Sequence, residues 1–593
     1  MPIATSTDKT GDQPLTLSTS RIEDVTCSTN AGEGDEGGKS VQKTIAVGVL
    51  TLGLCMVTFA AAVDNTILGT AIPRITAEFN SLEDAGLYRS SYLIASMALQ
   101  IPYGKAYAQF NVKWIYLSSF LIFEAGSVLC ATAPSSRALI AGRVVSGVGA
   151  AALYSGAINM LAMAASPQKI PALFSIVSSM FGLASLVGPP LGGALTDAPK
   201  LTWRWCFWIN LPIGGVAAIF IMVMFRIPKP VPPLEADTEM QTVDSTCDGA
   251  AGDMADKAAA TAPPQPESQG LQATVLPFTK KIQKIDPLGT ALLIPAMVSL
   301  VLALQWGGTR YPWSDGRVWG CLICWGILAV FFFVSLRFNG DDAVIPLRLL
   351  RDRTVLGGTL TTFLLSAGFF IHVFFLPFYL QVVQGMSATK AGLLLFAYFG
   401  AMALAGVMAG GAMSSRHGGG GGALPSHRPY AWVGAGLFIV GASLVQTLSV
   451  DSGLGKVVGF QLLSGVALGA AWQVPYVAVQ RSETLAKRAG DAATANALIV
   501  FSNSFGAVLG ISIAQNVFAG TLATGIANVP GLDRGQANAI ARAGQAGHLR
   551  DPAFLSQGLL ATVLHVFNDA ITSTFTVAAV FGGFAFLCSF ILP

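Results

Sequence analysis

Residues 171–195 read PALFSIVSSMFGLASLVGPPLGGAL, an apolar run without one charged side chain. As a helix rising 1.5 Å per residue it spans the roughly 30 Å hydrocarbon core of a bilayer. Near its end stands Gly188-Pro189-Pro190-Leu191-Gly192-Gly193. Each proline lacks a backbone N–H and blocks the bond to the preceding turn, freeing carbonyls where water cannot reach them. Glycines at 188, 192 and 193 let another helix approach closely enough to shield that broken backbone. The stretch predicts a kinked, tightly packed membrane helix, and with it an all-α integral membrane protein.

The rest of the chain agrees. Of 593 residues 53% are hydrophobic and 11% charged, and the mean hydropathy of +0.60 lies outside the range of water-soluble domains of this size. Charge-poor runs of helical length recur, where a membrane barrel would show short alternating segments. Fourteen spans are expected, with cores near 45–67, 86–104, 114–133, 138–162, 171–195, 205–225, 287–306, 318–336, 355–383, 391–413, 429–449, 457–480, 492–518 and 570–592. Basic loops resist translocation, and about 22 of the 35 Lys and Arg fall on one side when the N-terminus is placed inside. Both termini are therefore expected in the cytoplasm. A net charge of +3 is too small to suggest a nucleic-acid partner. Cys321 and Cys324 form a C-x-x-C inside a span with no second pair beside it, which reads as packing rather than a metal site.

The spans fall into a six, two, six pattern. Residues 1–43 are polar and read as a disordered cytoplasmic tail, 44–226 as a six-helix bundle, and 227–285 as a disordered cytoplasmic linker rich in Pro and Ala. Two additional helices occupy 286–338, a charged cytoplasmic loop 339–353, and a second six-helix bundle 354–593. Paired bundles around a midplane site are the architecture of many secondary transporters, which rock one half against the other. The kink at 188–193 is expected between those halves. The sequence has no G-x-x-x-x-G-K-[ST] phosphate loop, so an ion gradient is the expected energy source, with no bound cofactor. Five histidines without H-E-x-x-H or H-x-x-x-H spacing argue against an enzyme.

Few ionisable residues lie within the spans, and each is costly there. Asp64 sits toward the outer end of the first span in Asp64-Asn65-Thr66-Ile67, either as a protonatable site or as a hydrogen-bonding residue at a helix end. Arg143, in Arg143-x-x-x-Gly147-x-Gly149, stays charged at any relevant pH and either tunes a nearby carboxylate or locks helices as a static ion pair. Glu124 is a third intramembrane charge, a proton relay or a structural hydrogen-bonding group. His372, alone among apolar neighbours, titrates or packs. Gln100, Asn159, Gln381, Trp472, Tyr476 and Asn503 are the expected cavity residues, and with abundant Phe and Met they suit a large, mostly uncharged organic molecule.

Four stretches together resemble the fourteen-helix drug:proton antiporter branch of the major facilitator superfamily, in its fungal form, over about residues 44–593. They are Asp64-Asn65-Thr66-Ile67 with Ala71-Ile72-Pro73, Arg143 to Gly149, Gly188 to Gly193, and Trp203-Arg204-Trp205-Cys206-Phe207-Trp208-Ile209-Asn210-Leu211-Pro212-Ile213-Gly214. The resemblance implies a proton-coupling pair at Asp64 and Arg143, and an antiporter motif of Gly188, Pro189, Pro190, Gly192 and Gly193 that bends the fifth helix. It also implies a monomeric efflux pump in the plasma membrane, or in a vacuolar or vesicle membrane, that exchanges protons for hydrophobic or amphipathic small molecules such as a fungal secondary metabolite, mycotoxin or drug. Transport of a siderophore or a basic amino acid is the alternative. One loop departs from the superfamily pattern G-x-x-x-D-R-x-G-R. It reads Gly104-Lys105-Ala106-Tyr107-Ala108-Gln109-Phe110-Asn111-Val112-Lys113, so Ala108 stands where the acid belongs.

Overall fold

The computed structural model describes residues 33–79, 81, 84–166, 168–197, 201–225, 284–308, 311–386, 388–414, 426–488, 490–529 and 557–593. The expected linker at 227–285 and the tail before residue 33 lie almost wholly outside them. The described chain is helical. Its first half holds α1 (Glu33–Phe79), α2 (Ala85–Gln109), α3 (Val112–Ala131), α4 (Ser136–Ala164), α5 (Ile170–Asp197), α6 (Trp205–Trp208) and α7 (Asn210–Met224). A hairpin follows, α8 (Pro287–Trp306) and α9 (Gly316–Asn339), then a 3-10 turn (Gly340–Asp342) and short α10 (Leu347–Arg351). The second half holds α11 (Arg353–Phe378), α12 (Ala388–Ser414), α13 (Arg428–Gln446), α14 (Leu454–Trp472), α15 (Val474–Arg481), α16 (Glu483–Ala486), α17 (Asp491–Ala527) and α18 (Gln557–Ser589).

Among the described residues, twelve helices are long and apolar enough to cross a membrane, thirteen when the bent α5 counts as one span. The remaining expected span, 86–104, corresponds to α2, which is 25 residues long but carries Arg89 and Lys105. α1 already begins at Glu33, inside the segment expected to be a disordered tail. As the prolines require, α5 turns by 45° between its Ile170–Ser185 and Pro190–Thr196 parts.

In the first half α3 packs on α4, α4 on α2, and α1 on α5 and α7. In the second, α12 packs on α14, α14 on α13, and α11 on α17 and α18. Two seams join the halves: α5 on α12, and α2 on α17. The α8–α9 hairpin leans on α2 and α17. Small residues make both seams close. The Ser175 hydroxyl donates to the Gly406 carbonyl at 2.7 Å, and a Cβ on Gly104 would collide with Ala497. Counting helix directions from α1, these contacts lie toward the face on which α1 begins, called here the near face.

Candidate functional site

Asp64 of α1 and Arg143 of α4 meet in a fully buried ion pair, Nη1 to Oδ2 at 2.5 Å. Three elements hold it. The Arg143 Nε donates to the Tyr88 carbonyl of α2 at 3.0 Å, and the guanidinium lies over the Tyr92 ring, 4.4 Å from its centroid. From α7, the Asn210 amide donates to the other Asp64 oxygen and to Ser127 of α3, both at 3.2 Å. The glycines of Arg143-x-x-x-Gly147-x-Gly149 make this burial possible. A Cβ at Gly147 would press on the Tyr92 backbone, and one at Gly149 on the backbone of Phe123, so α2 and α3 close over the arginine stem only because both are glycine.

Asn210 belongs to the site although only the Trp203–Gly214 signature pointed toward it. The same signature grips the end of α1. The Trp203 indole N–H donates to Glu78 at 2.6 Å, and Arg204 donates to the other Glu78 oxygen at 2.8 Å and to the Ala133 carbonyl at 3.1 Å. Burial favours the protonated Glu78, but the Trp203 and Arg204 bonds outweigh it and hold the carboxyl below its usual range. Glu124 faces α7, where a Cβ on Gly214 would overlap its Oε1, and both its oxygens are buried without a hydrogen-bond partner among the described residues. His372 is buried among Tyr398, Phe438 and Phe575, its Nδ1 3.2 Å from the Tyr398 hydroxyl.

A cavity of ≈ 60 Å³ opens between the halves, walled by α4 and α5 on one side and α11, α12, α14 and α17 on the other. Tyr154, Phe369 and Trp472 give it aromatic walls, the last two ring to ring at 5.3 Å, while Ser178, Gln473 and Asn503 supply polar groups. Among the described residues, none of its lining side chains is charged.

Of the six expected cavity residues, Trp472 and Asn503 line it. The other four do other things. Gln100 donates to Ser504 and Asn496 donates to Asn159, both at 2.9 Å, so Gln100 and Asn159 bridge the halves. Tyr476 is fully buried against Tyr154 and Phe174, and Gln381 is exposed on a π-turn at the far end of α11. Tyr154 and Ser178 were invisible beforehand because a single hydroxyl in a span reads equally well as packing.

The antiporter motif also sits elsewhere than expected. Gly188 faces Thr66 of α1 in its own half rather than the second bundle, and the Thr66 hydroxyl donates to the Ala184 carbonyl at 3.1 Å. Around Gly193 a Cβ would meet nothing within 4 Å. Gly192 is buried and Pro190 exposed, while the Pro189 side chain lies outside the described residues. The part of α5 that meets the second half runs instead from Pro171 to Gly182, against Gly410, Gly406 and Phe399.

Comparison with known proteins places this geometry in context. The sequence model of the Major Facilitator Superfamily matches residues 54–511. An "MFS-type efflux pump MFS1" of Arthroderma benhamiae is 35% identical over 538 residues, covering 90% of this chain and 89% of the relative. An "Efflux pump bfoC" of Aspergillus brasiliensis is 36% identical, covering 92% and 86%. Among solved structures, the human organic anion transporter MFSD10 aligns over 93% of this chain and 99% of its own with a TM-score of 0.50 at 15% identity. A double-tryptophan mutant of XylE aligns over 93% and 96% with a TM-score of 0.51 at 12% identity. At such identity the two structures speak for the fold alone.

Proposed function

This chain belongs to the Major Facilitator Superfamily, and on that premise we propose that it is a fourteen-helix, proton-coupled exporter of uncharged, aromatic small molecules. It is a transporter rather than an enzyme. The observation that carries the reading is the buried Asp64–Arg143–Asn210 cluster, in which Asp64 is the one carboxyl group and so the one member that can serve as a proton carrier. A proton on Asp64 cancels the charge that neutralises Arg143. The bond between α1 and α4 then weakens, and the first half gains a second arrangement.

Substrate and proton occupy different places. Tyr154 stands eleven positions beyond Arg143 on α4, roughly 16 Å along its axis. Coupling therefore runs through movement of α4, without competition for one carboxylate. In this arrangement α2 is the fourteenth span and both termini are cytoplasmic. The near face is then the cytoplasmic one, closed in this state by the α2–α17 and α5–α12 seams. A drug-sized ligand takes roughly 300 Å³ or more, so loading requires a wider state of the same cavity.

Support for organic export comes from relatives named efflux pumps and from the uncharged, aromatic lining. That lining disfavours a basic amino acid, whose ammonium groups would ask for carboxylates. The protein works as a single chain in the plasma membrane, with a vacuolar or vesicle membrane as the alternative. Everted vesicles given the neutral dye Nile Red from outside and an acidic lumen test the reading. Uptake is expected to collapse with a protonophore and in Asp64→Asn, and uptake that survives either treatment refutes it.

A further inference from the structure

Ala108 lies where the superfamily loop pattern places an acid, and its surroundings show what that position would contact. It packs against Gly490 at the start of α17, so tightly that a Cβ on Gly490 would lie 2.6 Å from that of Ala108. Gly490 has φ +90°, and a side chain there would be strained as well as crowded. The N-terminus of a helix favours a negative charge, and Ala108 cannot supply it to α17. Asp491, the first residue of α17, supplies it instead, with a side chain only 9% exposed.

A third segment grips that acid. Arg348 of α10 binds both Asp491 oxygens, Nη2 to Oδ1 at 2.8 Å with Nη1 on Oδ2, and its Nε donates to Asp341 at 2.8 Å. Arg488 donates to the other Asp341 oxygen at 3.0 Å. The link to the first half is Lys105 of α2, nearly buried, whose ammonium donates to the Asp341 carbonyl at 3.2 Å. The segment thus runs as a strap across the near face, from α2 of one half to α17 of the other.

The two additional helices hold the strap in place. Asp286, the cap of α8, accepts from Gly289 at 2.8 Å, from the Asn339 amide at 2.8 Å and from the Val344 N–H at 2.9 Å, tying both ends of the hairpin to the strap. At the other end Asp352 accepts from Thr484 at 2.7 Å.

We propose that Arg348, Asp341 and Asp491 are positioning residues of the transport cycle: they form the near-side gate, carried by the α8–α9 hairpin, that takes over from the acid missing at Ala108. The proposal rests on the alternating-access reading above. Bidentate pairing with a shielded carboxylate makes Arg348–Asp491 the strong member, while the Arg488–Asp341 pair is more than half exposed on both sides and contributes little. Opening such a gate in each cycle requires release of one shielded pair, Arg348–Asp491, along with the Lys105 contact and the seams.

The test reads the gate and not the pump. Ser178→Cys is placed in the cavity wall of the full chain, in everted vesicles with no gradient and no substrate, and its labelling by a membrane-impermeant maleimide is timed over a parent with serine at 178. Arg348→Gln and Asp491→Asn are each expected to raise the labelling rate roughly tenfold, and Arg488→Gln less than about twofold. Unchanged labelling in both Arg348→Gln and Asp491→Asn, with both proteins monodisperse in detergent, overturns the proposal, as does an effect of Arg488→Gln equal to theirs. A gate that loosens as expected beside dye uptake indifferent to protons would sink only the coupling mechanism.

Discussion

Asp64 and Arg143 are opposite in what burial allows them. A carboxylate that loses its partner takes up a proton and becomes neutral, whereas arginine has no such escape. Removing the acid therefore strands a buried cation, and removing the base strands nothing permanently charged. Asp64→Asn is expected to lower stability in detergent by about 3–5 kcal/mol, and Arg143→Gln by distinctly less, as read by thermal unfolding at neutral pH. Equal losses would place the pair's role in shape rather than charge. Of this site, Asp64 and Arg143 were legible because charges in apolar spans are rare and costly. Asn210 was not, because an amide at a helix start has many local uses and only its approach to Asp64 across α3 and α7 gives it this one.

At the scale of elements, α5 shows what a motif can and cannot say. The 45° turn followed from two adjacent prolines, since their chemistry is local to the helix that contains them. Which neighbour the glycines serve was not local. Gly188 admits Thr66, and Gly193 admits nothing near. Gly188→Val is accordingly expected to cost about 1–3 kcal/mol through overpacking of α1 against α5, and Gly193→Ala to stay within about 0.5 kcal/mol. Thermal unfolding of the two variants in detergent checks this, and a comparable loss at Gly193 would mean that the second part of α5 packs more tightly in another state of the protein.

For the whole molecule, the separation of an uncharged cavity from the buried acid Asp64 has an energetic consequence. Exchanging an entering proton for a departing neutral molecule moves one net charge per proton, so membrane potential drives export as well as the pH difference. Each 100 mV is worth about 2.3 kcal/mol per proton, or about fiftyfold in the limiting concentration ratio. Everted vesicles given Nile Red from outside at equal pH, with a lumen-positive potassium diffusion potential set by valinomycin, are expected to accumulate the dye, and accumulation indifferent to that potential would contradict a neutral cargo. By itself the sequence determined that this is a helical membrane protein, where its long apolar spans run, and that Asp64, Arg143 and Glu124 bear the cost of charge inside them. These properties depend on local composition, and hydrocarbon judges each segment singly. Only the tertiary structure decided which polar side chains line the cavity, that Gly188 serves α1, and that the segment after α9 binds α17 in place of the acid missing at Ala108. Those outcomes depend on how each helix is rotated and on contacts between residues more than a hundred positions apart, and apolar spans leave that rotation undetermined until the helices pack.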